Sequence, residues 1–286
     1  MVALPKKVGL ALGGGGAKGL AHIGVIKALE KAGVEISSIA GTSMGALVGG
    51  WYAATKDIGA LENIFLRVRD KDLVSIGSMM SGKGKGLFRD SVITDVLEDY
   101  LRGMKIEDCK IPFAAIATDV KNGDEAVLKK GNLENAIRAS TALPIVFAPV
   151  ELGGRLLMDG GFVNPVPADV ARQLGAEYVL AVDVSSEWVD LSEESFGISR
   201  AYSMIPKALS IIEYQLARRI LPSADLVLNP PVLGFGLFEF PSVREIIAAG
   251  EAEARNHMGE ITKTTGATPP IRTPAQKFFD FIFYRD

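Results

Sequence analysis

Two shortages in this 286-residue chain narrow its chemistry before any motif is read: it has one cysteine and two histidines. A lone Cys109 can close no internal disulfide and build no thiolate metal cluster, and it fits a reducing compartment. With only His22 and His257 to draw on, a histidine-based catalytic apparatus has few ways to assemble. Basic charge is not in excess either: Lys and Arg number 31 against 34 acidic residues, for a net charge of −3. A nucleic-acid-binding surface needs clustered positive charge, so nucleic acid is not an expected partner. No apolar run approaches the ~18–20 residues that span a bilayer. The opening segment from Met1 to Leu12 breaks into glycines too early for a signal-peptide core. These shortages favour a cytoplasmic protein whose contact with membrane, if it has one, is peripheral.

Apolar residues make up 48% of the chain, enough for a sizeable core. The length suits one large α/β domain or two small ones. There are no internal repeats and no composition break, so a single domain over residues 1–286 is expected. Its motif-bearing core runs over 8–184, and 185–286 supplies C-terminal helices, a last strand and an aromatic tail. Val8–Leu12 is a compact apolar run, read as a strand. A glycine loop follows, then Leu20–Ala32 with Leu20, Ile23, Ile26 and Leu29 at helical spacing. A second strand begins near Val34. Strand, loop, helix and strand in that order predict a parallel sheet with right-handed crossovers. Further along, Phe113–Val120 and Glu125–Lys129 flank an Asn122-Gly123 turn and read as a hairpin. Helices are expected over Ala46–Thr55, Ile58–Arg69, Asp90–Leu101, Leu133–Thr141, Pro165–Leu174, Ser199–Leu221 and Val243–His257. Further strands are expected at Arg155–Met158, Tyr178–Val184 and Ala224–Leu228.

Three stretches carry chemistry. Gly41-Thr42-Ser43-Met44-Gly45 sits where the second strand turns into a helix, which is the context of a G-x-S-x-G nucleophile elbow. Its glycines have a reason: a side chain at either flank would strike the neighbouring elements. The same five residues also satisfy a plain glycine-rich turn with an N-capping serine. Gly13–Gly19 opens the first helix and reads in three ways. It fits a dinucleotide fingerprint, although the second strand ends in the elbow and not in a ribose-binding acid. It fits an oxyanion hole, since consecutive glycines let backbone N–H groups converge on one point. It also fits a tight turn. Ser43 needs a base, and Asp159, followed by Gly160-Gly161 at a strand end, is a better candidate than His22 or His257. An Asp-Gly turn remains the bland alternative. Burial beside a serine would raise the aspartate from its usual ~3.9 and suit it to that work.

The set Gly14-Gly15-Gly16-Ala17-Lys18-Gly19, Gly41-Thr42-Ser43-Met44-Gly45 and Asp159-Gly160-Gly161, in that order, resembles the patatin-like phospholipases. The flanking Ala21-His22-Ile23-Gly24-Val25 resembles the bacterial and neuropathy-target-esterase-type branch. Ala117-Thr118-Asp119, Ala139–Pro144 with Phe147 and Pro149, and Asn164-Pro165 match as well. The resemblance runs from about Val8 to Val184. It implies a three-layer α/β/α fold around a central, mostly parallel sheet. It implies a serine–aspartate dyad, with Ser43 as nucleophile and Asp159 as base, and the Gly14, Gly15 and Gly16 amides as oxyanion hole. Substrates would be lipids or other acyl esters, with no cofactor and no metal.

Lys18 stands where many members carry arginine. Lysine cannot grip a phosphate in bidentate fashion, which favours a loop-bracing role over head-group binding. Lys18, Met44, Met79, Met80 and Phe88 are candidates for substrate or loop contacts. The segment Val74–Phe88, rich in glycine and serine, reads equally as a lid or as a surface loop. The tail Phe278–Tyr284 is expected to pack within the protein. Three rival functions remain open from the sequence: a Ser–Asp–His hydrolase using His257, a dinucleotide-binding enzyme, and a non-catalytic regulator or scaffold on the same fold.

Overall fold

The computed structural model describes residues 6–67, 100–144, 147–185, 210–237 and 239–269. The segment Val74–Phe88, with Met79, Met80 and Phe88, therefore lies outside the described residues. So do the greater part of the helix expected over Asp90–Leu101, the first half of the helix expected over Ser199–Leu221, and the aromatic tail.

Among the described residues, one mixed sheet of eight strands organises the fold. The strands are β1 (Val8–Leu12), β2 (Ile36–Thr42), β3 (Phe113–Asp119), β4 (Glu125–Leu128), β5 (Val150–Leu152), β6 (Arg155–Asp159), β7 (Tyr178–Val182) and β8 (Leu226–Leu228). β1 is central, parallel to β2 on one side and β7 on the other, and β7 continues in parallel to β8. β2 is parallel to β3, while β3 pairs antiparallel with β4 and with β6. All five residues of β1 are buried. A strand covered on both faces has no use for polar alternation, which is why Val8–Leu12 reads as an unbroken apolar run.

The two faces differ in residue size. Leu10, Leu12, Ile39, Leu180 and Val182 face one core, shared with α1 (Ala21–Lys31), α2 (Met44–Thr55), α3 (Ile58–Arg67) and the helix Val243–Asn256. Ala11, Ala40, Ala114, Ile116, Val179 and Ala181 face the other, against the helix Ala168–Gln173 and Ala217 of the helix over 210–220. The fold is thus α/β, with helices on both sides of the sheet. No helix among the described residues is long and apolar enough to cross a membrane.

The register around β3 places the site. Ala115 and Ile116 pair with β2 and also with β4, so those two strands lie on opposite edges. Ala117 and Thr118 pair with β4 and also with β6. β2 and β6 therefore occupy the same edge of β3, one beginning where the other stops. Thr42 lies opposite Ile116, and Asp159 lies opposite Ala117. The end of β6 is in this way delivered to the turn that follows β2.

Several elements differ from expectation. Leu20–Ala32 does not start as an α-helix: a 3-10 turn, Gly16–Leu20, carries the chain from the glycine loop into α1. β5 was not anticipated. It is three residues long, and one apolar–polar–apolar triplet, Val150-Glu151-Leu152, is too short to mark a strand. The helix Met258–Thr265 was also missed, because it follows directly on Val243–Asn256 with only His257 between them. Pro165 and Pro167 precede their helix, which begins at Ala168 with Pro167 as its N-cap.

Candidate active site

Ser43 is one of two non-glycine residues with positive φ among the described residues, at φ 54° and ψ −123°. Such backbone angles are costly for a residue bearing a Cβ and persist only where the surroundings impose them. The surroundings here are close. A Cβ on Gly45 would strike the Leu12 carbonyl and lie 2.8 Å from the Gly13 oxygen; one on Gly41 would lie 2.7 Å from the Ala46 Cα. The two glycines let β2 turn into α2 against the end of β1, and the turn leaves Ser43 half-buried at the head of α2. The Ser43 N–H donates to the buried Ser140 hydroxyl (2.9 Å), and Thr42 Oγ1 donates to the Asn164 carbonyl (2.7 Å). These bonds fix the elbow from both sides.

The Ser43 hydroxyl donates to Asp159 Oδ2 at 2.7 Å. The aspartate is fastened in turn. Its Oδ1 accepts the Gly161 N–H (2.8 Å), its own N–H donates to the Ala142 carbonyl (3.0 Å), and its carbonyl accepts from Thr118 Oγ1 (2.7 Å). Asp159 is 2% exposed. Burial pushes its carboxyl up to about 6, against the pull of the bonds from Gly161 and Ser43. A carboxylate poised near neutrality is a far better proton acceptor than a free aspartate at ~3.9.

The glycine loop lies against this pair. A Cβ on Gly14 would sit 3.3 Å from the Ser43 Cβ. Of the three amides expected as oxyanion donors, that of Gly14 is committed to the Pro165 carbonyl (3.0 Å). The amides of Gly15 and Gly16 make no hydrogen bond among the described residues. Both glycines have positive φ, 157° and 57°, so a substitution at either is strained.

Neither histidine touches the pair. His22 is fully buried with Nε2 2.8 Å from the Gly13 carbonyl. His257 sits at the end of its helix with Nδ1 3.1 Å from the Glu253 carbonyl. Met44, a candidate for substrate contact, is instead core: it is 4% exposed and packs against Gly19. It follows Ser43 into α2, and the first turn of that helix faces inward. Lys18 is half-buried. Burial lowers its pKa, while Glu213 and Asp183 hold it up. Burial, with Asp108 and Glu107 adding to it, pushes the Cys109 thiol up to about 11, which keeps it protonated.

Two residues at the site are not among the candidates named from the sequence. Ser140 lies in a segment matched only as part of a longer stretch, and its bond to Ser43 spans 97 positions. Glu213, on the helix over 210–220, brings a carboxyl against Gly161, where a Cβ would be 2.5 Å from Glu213 Oε1 and 3.3 Å from Asp159 Oδ1. The two carboxyls fall within the ~4–6 Å over which like charges shift one another. Burial, then the charge of Asp159, pushes Glu213 up to about 8, with Lys18 opposing and Asp183 adding. Nothing in its neighbours along the chain distinguishes Glu213 from any other glutamate on a helix.

A family model for patatin-like phospholipases matches residues 10–172. An uncharacterized NTE family protein of Mycobacterium tuberculosis strain H37Rv is 37% identical over 222 residues, covering 70% of this chain and 61% of that protein. The patatin-like phospholipase domain-containing protein ZK370.4 of Caenorhabditis elegans is 33% identical over 283 residues, covering 89% of this chain and 21% of that protein. Patatin-like phospholipase domain-containing protein 6 of Homo sapiens is 36% identical over 187 residues, or 63% of this chain and 13% of its own length. The chain thus spans less than two thirds of each of these relatives. Among solved structures, VipD from Legionella pneumophila aligns with a TM-score of 0.49 and 12% identity over 90% of this chain and 67% of its own. A match over more than half of the chain, running through both the elbow and the strand that ends in Asp159, makes this protein a member of the patatin-like phospholipase family.

Proposed function

We propose that the chain is a serine acyl hydrolase of the lipid-esterase type, a phospholipase A or lysophospholipase in kind, working through Ser43 and Asp159. The observation that carries this reading is the 2.7 Å bond from the Ser43 hydroxyl, on a strained elbow, to a buried carboxylate. In the first step Ser43 Oγ attacks the ester carbonyl carbon and its proton passes to Asp159 Oδ2. The oxygen that becomes negative is met by the Gly15 and Gly16 N–H groups, which are held in place before the substrate arrives. Preorganised donors of this kind contribute about 3–4 kcal/mol each to the transition state. The tetrahedral adduct collapses, the carbon–oxygen bond to the alcohol breaks, and the alcohol takes the proton from Asp159. Water then attacks the acyl-serine and gives its proton to the same carboxylate. The fatty acid leaves, and Ser43 recovers its hydrogen.

A fluorophosphonate probe should label the chain at Ser43, and Ser43→Ala should lose both labelling and release of fatty acid from a panel of phospholipids, lysophospholipids and neutral lipids. Hydrolysis that survives Ser43→Ala would place the chemistry on another residue, and an unlabelled wild-type chain would favour a non-catalytic role. The panel also identifies the lipid class.

The protonation state of Asp159 gives a second expected result. Only the ionised carboxylate accepts a proton, and it loses its charge as pH falls through about 6. A plot of kcat/KM against pH should therefore fall about tenfold per unit on the acid side of that value. A limb centred near 4 would mean that Asp159 is not the group being titrated.

A further inference from the structure

His22 is a buried titratable side chain for which the dyad has no use, yet it reaches the loop beside it. The loop is fastened at both ends by backbone bonds: Gly13 N–H to the Val182 carbonyl (3.0 Å), Gly14 N–H to the Pro165 carbonyl (3.0 Å), and Ala17 N–H to the Leu237 carbonyl (2.8 Å). Among the described residues, one side chain joins that fastening: His22, whose Nε2 lies 2.8 Å from the Gly13 carbonyl. A carbonyl can only accept, so Nε2 carries the hydrogen and Nδ1 is bare. Burial holds the ring neutral, with its pKa down at about 4 although the Gly13 bond pulls the other way. It is therefore a fixed donor throughout the working range of a dyad that titrates near neutrality.

We propose that His22 is a positioning residue for the oxyanion loop, locking the peptide plane that precedes the open Gly15 and Gly16 amides. The carbonyl of Gly13 and the N–H of Gly14 belong to one peptide unit and point in opposite directions. His22 holds the first and Pro165 the second, so that plane cannot rotate. The next two residues are glycines, whose torsions are the softest in the chain. Their amides stay aimed only if the plane before them is fixed. Packing alone does not account for a histidine here, because its Nδ1 is buried without a partner and such an atom costs stability. The proposal rests on the reading of Ser43 and Asp159 as the dyad.

The test compares His22→Leu, His22→Gln and His22→Asn in the full chain, with a short p-nitrophenyl ester as substrate. The longer amide of Gln can place nitrogen near the position of Nε2, whereas Asn places it near Nδ1, out of reach of Gly13. The expected result is a kcat about 100-fold lower for the Leu and Asn variants with KM within about twofold of wild type. The Gln variant should recover most of the loss, and affinity for a trifluoromethyl ketone, which forms an anionic adduct, should fall in step with kcat. Equal kcat in the Gln and Asn variants overturns the proposal, whether both match wild type or both fall together with their unfolding midpoints. If His22→Leu does not fold, the Gln–Asn pair decides. A wild-type chain that neither hydrolyses the ester nor labels with fluorophosphonate overturns the dyad reading and this one with it. A wild-type chain that does both, while the His22→Asn variant does so equally well, overturns the positioning role alone.

Discussion

Asp159→Asn should give a protein that is more stable than wild type at pH 8 and hydrolyses esters about 10³-fold more slowly. The loss follows from the proposed role, since general-base catalysis by a positioned group contributes about 10²–10⁴-fold and an amide cannot take the proton. The gain follows from burial. The folded-state pKa of Asp159 is raised from 3.8 to about 6. The folded protein holds that proton more tightly than the unfolded chain does, so the contribution to stability is full below 3.8 and is lost as pH rises through about 6. At 1.36 kcal/mol per unit, ionised Asp159 costs the fold on the order of 2–3 kcal/mol at pH 8. Asparagine never ionises, and it can keep both bonds: its oxygen accepts from the Gly161 N–H and its amide donates to Ser43 Oγ. Urea unfolding of the two proteins at pH 8 should show the difference, and at pH 4 it should nearly vanish. A variant destabilised at pH 8 would mean that the carboxylate is well solvated or charge-compensated in the folded state.

The second large effect lies away from the site. α1 and the helix Val243–Asn256 cross with their backbones in contact, through Gly24 on one and Gly250 on the other. A Cβ on Gly250 would strike the Ala21 carbonyl and lie 2.9 Å from the Ala21 Cα; one on Gly24 would be 2.6 Å from the Glu251 nitrogen. These are backbone atoms in two regular helices and cannot swing aside. Gly250→Val should cost about 3 kcal/mol or more, at the upper end for overpacking, because a whole helix has to move. The control is Gly259→Ala, in the helix Met258–Thr265, where an added Cβ meets nothing within 4 Å. There the usual cost of glycine in a helix is relieved, for a gain of about 0.5 kcal/mol. Denaturant midpoints of opposite sign for the two variants would establish the crossing as the cause. α1 follows directly on the 3-10 turn of the glycine loop, so Gly250→Val should also slow hydrolysis.

Much of this arrangement was legible in the sequence where the cause is local. β1 was readable because a central strand buried on both faces is a continuous apolar run, and the Asn122-Gly123 turn marked the β3–β4 hairpin through the positive φ that Gly123 adopts. Ser43 and Asp159 were nameable because each ends a strand beside glycines that its turn requires. What the sequence did not show is longer in range. Ser140 holds Ser43 from 97 positions away, and Glu213 meets Gly161 from a helix that carries no motif. The commitment of the Gly14 amide to Pro165 was equally hidden, since three consecutive glycines look alike until a carbonyl approaches one of them. The bond of His22 to Gly13 was hidden as well, because it depends on where α1 sits on the sheet.

The sharing of one β3 edge by β2 and β6 also makes β3 a ruler. The distance from Ser43 to Asp159, the proposed nucleophile and proton acceptor, is set by two adjoining rungs, Thr42 opposite Ile116 and Asp159 opposite Ala117. Residues 116 positions apart in the chain are thus gauged against a single peptide of a third segment. The ruler has a parity. Side chains alternate across a strand, so a slip of β6 by one residue would turn Asp159 to the opposite face and present Met158 or Gly160 to the serine. The spacing of this site is therefore all-or-none: a mispaired β6 would leave the sheet nearly intact and separate Ser43 from Asp159.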